Sequence, residues 1–447
     1  MSTAPVGPAS SAGAAAKPAG FDLVVRGGEV IDPASGRRAM LDVAIAGGRI
    51  VEIAPGIEPA GATVLDARGC LVTPGLVDLH THIYSGGGFW SLRPEPVAWR
   101  SGVTCFVDAG SAGAYNLGAL LDQIAASPLR LAAFLNIASR GLVTETGEAR
   151  SAPDCDAALC TQLLTEHPGV LVGVKSRLDH NAVGPAGVQP LRQALVAARD
   201  AGVPVMVHIG GGPPEIDEVL DLLGPGDLVT HAFTGQSMAL VNGHGALRPT
   251  AQAARERGVL LDLGHGSGAF SYAVAEQMAA RGEWPDVISS DLHLRAVLGP
   301  AFDLPSCASK LLCLGMPLEE VVAAMTITPA RVAGKAGEWG ALEPGRRADV
   351  AVFRLEHVDL DLFDTYLEAR PVHELLVNVA TIANGVVLEP VPAEQPPPWI
   401  DATTTQRRQI VRPAHELRRP WAESLRDVGD YVRLPIGRPP SFERSAR

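Results

Sequence analysis

One repeated unit occupies the chain between about residues 73 and 335: a short apolar run, then an Ala- and Leu-rich stretch typical of a helix. We count eight apolar runs, which are LVDLHTH, VTCFVDAG, LRLAAFLNIAS, VLVGVKSR, VPVMVHIG, DLVTHAF, VLLDLGHG and DVISSDLH. Helical stretches separate most of them, for example PLRQALVAARDAG before the fifth run and TAQAARERG before the seventh. The alternation predicts parallel strands with crossover helices. Eight such units predict a (β/α)8 barrel, whose active site forms at the carboxyl ends of the strands.

The two ends of the chain have a different character, with short β-type runs broken by glycine. DLVVRGGEVID and LDVAIAGGRIVEIAPG show it near the start, and GALEPGRRADVAVFRLE and LLVNVATIANGVVLE near the end. We expect 21–72 and 339–392 to complete one small β-sandwich domain, with the barrel, 73–338, inserted between them. Residues 1–20 are expected to be a disordered tail, and 393–447 a Pro- and Arg-rich extension that is either a partner-binding arm or an extended surface segment.

Composition and charge exclude several classes of function. The chain has 447 residues, of which 47% are hydrophobic, and a formal net charge of -12. Nucleic acid and anionic membranes both need a basic surface, so neither is an expected partner. No apolar run approaches the ~18 residues of a membrane span, and the start of the chain lacks the apolar core of a signal peptide. We expect a cytoplasmic homo-oligomer that acts on a small molecule.

The six cysteines contain no C-x-x-C pair and form no recognisable disulfide framework. They are expected to be reduced thiols, most of them small buried hydrophobic side chains.

Polar residues capable of chemistry stand at the ends of five of the predicted strands. They are His80, His82, Lys175, His208, His231 and Asp291. Side chains alternate along a strand, so His80 and His82 point to the same face and are able to bind one ion. A single histidine of this kind is more often a structural residue, but the set as a whole predicts a metal site at the mouth of the barrel.

Lys175 ends an apolar strand, where burial of an ammonium lowers its pKa far from ~10.4. A neutral amine adds carbon dioxide to form a carbamate, an anionic donor that bridges two cations. The alternative is an ordinary lysine that reaches solvent or pairs with an acid.

The order of these motifs resembles a known family. PGLVDLHTH, followed by GVKSR, VMVHIG, LVTHAF and ISSDLH, resembles the amidohydrolase superfamily. More narrowly, HTHIYSGGG, GVTCFVDAGSAGA, HIGGGPP, THAFTG and DLGHGSGAFS resemble the amidohydrolase/deacetylase branch, whose members are often mislabelled dihydroorotase. The resemblance covers roughly residues 22 to 392 and does not extend to the tail.

The resemblance implies a binuclear site, usually zinc. His80 and His82 would bind the buried ion, His208 and His231 the exposed ion, and carbamylated Lys175 would bridge them. Asp291 would lie beside the bridging hydroxide, taking its proton during attack on a carbonyl and returning it to the leaving group. The implied substrates are acetyl esters of 2-hydroxy carboxylates and related N-acyl compounds.

Four further residues are weaker candidates for substrate binding. Arg177 would clamp a substrate carboxylate, or else form a salt bridge at the barrel rim. His265 would hydrogen-bond the substrate or support the site, and its glycine-rich surroundings predict close backbone approach. Tyr84 follows H-x-H and precedes three glycines, a pattern that fits a loop over the site or a plain turn. His293 is the nearest substitute base for Asp291.

The leading hypothesis is therefore a metal-dependent hydrolase of the deacetylase type, which cleaves an ester or amide of a small acylated hydroxy or amino acid. A cyclic amidase of the dihydroorotase or hydantoinase type would share the metal site but need a pocket shaped for a ring. A third alternative is a non-catalytic barrel scaffold, although such a protein is expected to have lost metal ligands.

Overall fold

The computed structural model describes residues 20–392, 397, 399 and 400. The tail expected before Phe21 and the C-terminal extension lie outside these residues, apart from Gly20, Pro397, Trp399 and Ile400. In chain order the strands are β1 (Leu23–Asp32), β2 (Arg37–Ala46), β3 (Arg49–Ala54), β4 (Thr63–Asp66), β5 (Leu71–Pro74), β6 (Leu76–Thr81), β7 (Val103–Gly113), β8 (Arg130–Asn136), β9 (Leu171–Arg177), β10 (Val205–His208), β11 (Leu228–Thr230), β12 (Leu260–Asp262), β13 (Val350–Phe363), β14 (Ala369–Ala383) and β15 (Val386–Val387).

Helices separate most strands of the central region and then follow the last of them. They are α1 (Glu95–Ser101), α2 (Leu117–Ala126), α3 (Ala157–Glu166), α4 (His180–Val183), α5 (Gln189–Ala201), α6 (Ile216–Leu222), α7 (Pro249–Glu256), α8 (Tyr272–Ala279), α9 (Leu304–Cys313), α10 (Leu318–Ala324) and α11 (Ile327–Val332).

The barrel is a curled parallel sheet in the order β12-β11-β10-β9-β8-β7-β6. The eighth apolar run closes it through isolated parallel bridges, Asp262↔Val287 on one side and Thr81↔Leu292 on the other. Between these bridges the backbone nitrogen of Ser290 donates to the Asp78 carboxylate at 3.0 Å, so a side chain replaces part of a regular strand ladder. The predicted (β/α)8 barrel is confirmed.

The second sheet takes its strands from both ends of the described chain, in the order β15-β14-β13-β5-β1-β2-β3, with β4 also paired to β1. Most neighbours are antiparallel, and β1 pairs in parallel with β4 and β5. It has a core of its own, which includes Val30, Ile45, Val72, Val350 and Ile382. The prediction that both ends of the chain form one smaller β structure is confirmed.

Apolar side chains fill the interior of the barrel, among them Leu79, Val107, Phe134, Met206 and Leu228. Because these side chains fill the interior, ligands have room only beyond this layer, toward the carboxyl ends of the strands. The cysteines are all free and all but Cys313 are buried, as expected. Among the described residues, no helix is long and apolar enough to cross a membrane.

Candidate metal centre

A cavity of about 580 Å³ opens at the carboxyl ends of the barrel strands. It brings together the six residues that the sequence places at strand ends, namely His80, His82, Lys175, His208, His231 and Asp291. All of them except His208 are buried. This volume admits a small organic molecule.

Three of these residues converge on one point. Asp291 Oδ1 lies 3.3 Å from His80 Nε2 and 3.2 Å from His82 Nε2. One ligand atom from each of the three residues lies within 4.8 Å of the others. Asp291 Oδ1 is nevertheless a buried oxygen without a hydrogen-bond donor among the described residues. A buried carboxylate oxygen facing two imidazole nitrogens is a donor set that suits a divalent cation.

Hydrogen bonds on the opposite side of each ring fix this orientation. His80 Nδ1 lies 2.7 Å from Thr230 Oγ1, and His82 Nδ1 lies 2.8 Å from Ser111 Oγ. Both rings therefore present Nε2 to the cavity, as metal-binding histidines do when their second nitrogen is held by a partner.

His208 and His231 form a second pair of ligand atoms. His208 Nδ1 and His231 Nε2 are 2.9 Å apart. The remaining nitrogens point away, His231 Nδ1 to the carbonyl of Gly264 at 2.5 Å and His208 Nε2 to Asp179 Oδ2 at 3.4 Å. Burial lowers the pKa of both rings, and of His231 to well below its ordinary value, so the neutral form that binds metals predominates.

Lys175 lies at the inner edge of the cavity and is 3% exposed. Its Nζ is 3.0 Å from His80 Nε2 and 3.4 Å from Met206 Sδ. Burial lowers the pKa of Lys175 to about 8. The backbone of Gly110 packs directly on the Lys175 side chain, where a Cβ would come within 2.6 Å of Lys175 Cβ.

Two site residues adopt left-handed backbone conformations, His231 at φ 65° and Asp291 at φ 48°. Such strain is uncommon outside glycine and concentrates at functional sites. Burial alone would raise the pKa of Asp291, but the neighbouring histidines, His80 first among them, hold it well below its ordinary value. Asp291 is therefore a carboxylate, which is the form that binds a cation and accepts a proton.

The four weaker candidates divide into two groups. Arg177 and His293 line the cavity. Arg177 Nε lies 3.0 Å from Glu148 Oε1 and 3.3 Å from Asp179 Oδ2, so its guanidinium is engaged by two acids. This ion pairing is the rim salt bridge that the sequence left open, and a role for Arg177 in substrate binding stays a prediction.

Tyr84 and His265 are buried, and neither lines the cavity. The Tyr84 hydroxyl donates to the carbonyl of Asn116 at 2.7 Å. His265 Nε2 receives a hydrogen bond of 2.7 Å from Lys310 Nζ, and its ring stacks on Phe270. Both side chains therefore support loops around the site, and substrate binding by either remains untested.

The expected close backbone approach near His265 is present. A Cβ on Gly264 would collide with Thr230 Oγ1, and one on Gly266 would collide with Asp291 Oδ2. Both glycines also have positive φ, at 47° and 56°.

Sequence reasoning missed the residues that orient the rings, among them Asp179, Thr230 and Ser111. Asp262 was also missed; it is buried at the end of β12, with Oδ2 3.5 Å from His80 Nδ1. A signal existed for Asp262, since it is an acid at the end of a predicted strand, like Asp291. The sequence holds no such signal for Ser111 and Thr230, because hydroxyl side chains at strand ends are too common to indicate a role in a site.

These features are those of a candidate metal centre at the mouth of a (β/α)8 barrel. Comparison with known proteins identifies the family. The model of the amidohydrolase family matches residues 71–388, and the chain belongs to this family.

Individual relatives agree with this assignment. A deacetylase of Agrobacterium fabrum is 40% identical over 329 residues, which cover 72% of this chain and 81% of that protein. A crystal structure of a dihydroorotase is 35% identical with a TM-score of 0.76, covering 82% of this chain and 98% of that one. A crystal structure of an adenine deaminase is 28% identical, also with a TM-score of 0.76, covering 82% and 99%.

Proposed function

We propose that the protein is a metal-dependent deacetylase that hydrolyses an acyl ester or amide of a small hydroxy or amino acid. The observation that carries the proposal is the convergence of four imidazoles, a lysine and a carboxylate in one cavity of about 580 Å³. The relative named deacetylase, at 40% identity, supports hydrolysis of an acetyl group.

In this proposal the site holds two divalent ions, with zinc the expected metal because imidazole ligands suit it. His80 and His82 would hold one ion, and His208 and His231 the other. Lys175, as a carbamate, would bridge them, and Asp291 Oδ1 would complete the set. Bound cations of this kind lower the pKa of a water molecule and polarise the substrate carbonyl.

The protein's own part in the chemistry centres on the two oxygens of Asp291. Oδ1 faces the His80 and His82 nitrogens, whereas Oδ2 is 3.9 Å from His293 Nε2. As water adds to the carbonyl carbon, Oδ2 takes its proton. When the bond between the carbonyl carbon and the leaving oxygen or nitrogen breaks, Oδ2 returns that proton to the leaving group. The products are the carboxylic acid and the free alcohol or amine.

A cyclic amidase is the second candidate. The similarity to a crystal structure of a dihydroorotase, at 35% identity, favours it. A metal-activated water and one proton carrier would serve ring opening as well as cleavage of an open-chain acyl compound. The two candidates differ in the shape of their substrates, since the first needs a cavity that admits an open-chain acyl compound and the second a cavity that admits a ring.

A hydrolysis screen of zinc-loaded protein separates the candidates. The panel contains enantiomeric pairs of O-acetyl 2-hydroxy acids and N-acetyl amino acids, together with dihydroorotate, hydantoins and adenine. We expect turnover of the open-chain acetyl compounds, abolished in Asp291→Asn but not in Tyr115→Phe, a variant at an exposed tyrosine that does not line the cavity. Turnover restricted to dihydroorotate or the hydantoins would replace the first candidate by the second. Light scattering on the same preparation tests the homo-oligomer expected from the sequence.

A further inference from the structure

A hairpin of the second sheet reaches across to the mouth of the barrel. β13 and β14 pair from Val350↔Ile382 to Phe363↔Ala369, but only the first four residues of β13 also pair with β5. The far half of the hairpin therefore extends beyond its own sheet and ends in residues 364–368.

The tip of this hairpin is docked on the segment that follows β12. The Asp364 carboxylate accepts a hydrogen bond of 2.9 Å from the backbone nitrogen of Tyr272, and the Thr365 hydroxyl donates to the Phe270 carbonyl at 2.8 Å. Asp364 and Thr365 are buried. These contacts hold the next residue, Tyr366, at a fixed place beside the barrel.

Tyr366 contacts the loop that follows His231. Its hydroxyl accepts a hydrogen bond of 3.1 Å from the Gly235 backbone nitrogen and lies 3.4 Å from Thr234 Oγ1. Thr234 Oγ1 in turn accepts from the backbone nitrogen of Gln236 at 3.2 Å. The Tyr366 ring covers Gly235 so closely that a Cβ there would come within 3.1 Å of Cζ.

Gln236 connects the Tyr366 contact to the cavity, because Gln236 is one of the residues that line it. Its Nε2 donates to the carbonyl of Gly268 at 3.2 Å. Its Oε1 lies against the backbone of the loop after β10, within 3.4 Å of a Cβ built on Gly210. The Gln236 amide thus lies between the loops that follow β10 and β12, at the mouth of the cavity.

We propose that Tyr366 is a positioning residue, which fixes Gln236 across the cavity mouth and so determines how tightly the substrate is held. The substrate part of this inference rests on the proposed function. His231, in the same loop, has its own anchor in the Gly264 carbonyl, so loss of the Tyr366 contact acts on Gln236 and leaves the metal ligands in place.

The experiment is a double-mutant cycle on zinc-loaded full-length protein with O-acetyl-lactate, using Tyr366→Phe, Gln236→Ala and the double variant. We expect each single variant to raise KM about fivefold, the effect of one lost hydrogen bond, with kcat within about twofold. The double variant should match Gln236→Ala, because Tyr366 acts through Gln236. If Tyr366 had only a structural role, Tyr366→Phe would lower stability, and its effect on KM would add to that of Gln236→Ala. Additive effects on KM in the double variant would therefore overturn the proposal.

Hydrogen exchange tests the contact without any substrate. Phenylalanine removes the acceptor of the Gly235 amide, so exchange at Gly235 should become several-fold faster in Tyr366→Phe. Tyr115→Phe, the same change at a tyrosine that is 72% exposed, should alter neither exchange at Gly235 nor KM. Unchanged exchange at Gly235, or faster exchange with unchanged KM, overturns the proposal. Faster exchange in a protein that hydrolyses none of the acyl compounds would instead refute the proposed function and leave the positioning contact standing.

Discussion

Substitution of Gly266 by alanine is expected to disable the site although no proposed ligand is itself substituted. Gly266 has φ 56° and lies against the Asp291 carboxylate. A Cβ added there would come well within 3.0 Å of Asp291 Oδ2, closer than real Cβ atoms approach an oxygen, so the carboxylate must retreat by roughly half an ångström or more.

The magnitude follows from what a displaced catalytic group costs. A misplacement of about 1 Å costs on the order of 100-fold in rate, so we expect kcat to fall about 10- to 100-fold in Gly266→Ala. Alanine in a left-handed conformation also costs about 1 kcal/mol of the free energy of unfolding. The expected loss of turnover is therefore far larger than this decrease in the free energy of unfolding would cause, because most of the protein stays folded.

Two controls separate these effects. Gly337, which does not line the cavity, has no neighbour within 4 Å of a built Cβ and no positive φ, so Gly337→Ala should keep both turnover and stability. Gly282 has φ 72° and an equally open surround, so Gly282→Ala should lower Tm as Gly266→Ala does while retaining full kcat.

The assay measures kcat, metal content and Tm on all three variants and the wild type. A Gly266→Ala variant that retains its metal and more than about half of wild-type kcat would show that Asp291 tolerates displacement, contrary to the role of Oδ2 as proton carrier. An equal fall in kcat in Gly282→Ala would indicate that backbone strain, and not displacement of the Asp291 carboxylate, lowers turnover.

The remaining predictions concern the proposed ligands and their neighbours. Asp291→Asn should keep its metal but lose ~10²–10⁴-fold in kcat, because an amide does not accept the proton; His293→Ala, measured alongside, should keep most of the rate. Lys175→Ala should lose both metal, by elemental analysis, and turnover, and short carboxylic acids with zinc should restore part of the rate; wild-type metal content would make Lys175 structural. Arg177→Gln should weaken metal binding about tenfold, since Arg177 pairs with Asp179, which faces His208 Nε2; an increase in KM for carboxylate substrates alone would make it a substrate clamp.

The barrel was predictable because its strands are buried on both faces. Runs such as LVDLHTH and VLVGVKSR appear as β6 and β9 because continuous apolar stretches ending in polar residues are what a parallel strand beneath an active site requires. The eighth run forms only isolated bridges, since Ser290 bonds to the Asp78 side chain. No sequence pattern distinguishes that arrangement from a full strand.

The surroundings of the site were not predictable in the same way. His265 follows a strand, as His231 does, yet it meets Lys310, which is 45 residues away, and lies outside the cavity. Which way such a side chain turns depends on loop conformation and on long-range partners, neither of which has a periodic signature. The hairpin tip that brings Tyr366 to Gly235 is likewise invisible in the alternating pattern of β13 and β14.

Under these proposals, chemistry and specificity depend on separate parts of the structure. Thr230 Oγ1 contacts His80 Nδ1, and the next residue, His231, belongs to the other pair of proposed ligands. The two proposed pairs of ligands are thus linked by consecutive residues at the end of β11. Gln236 and Tyr366, by contrast, lie on a loop and on a hairpin tip, and such segments change without disturbing the strands beneath them. Variation at the mouth should therefore alter which acyl compound is held, while the proton transfer at Asp291 stays the same.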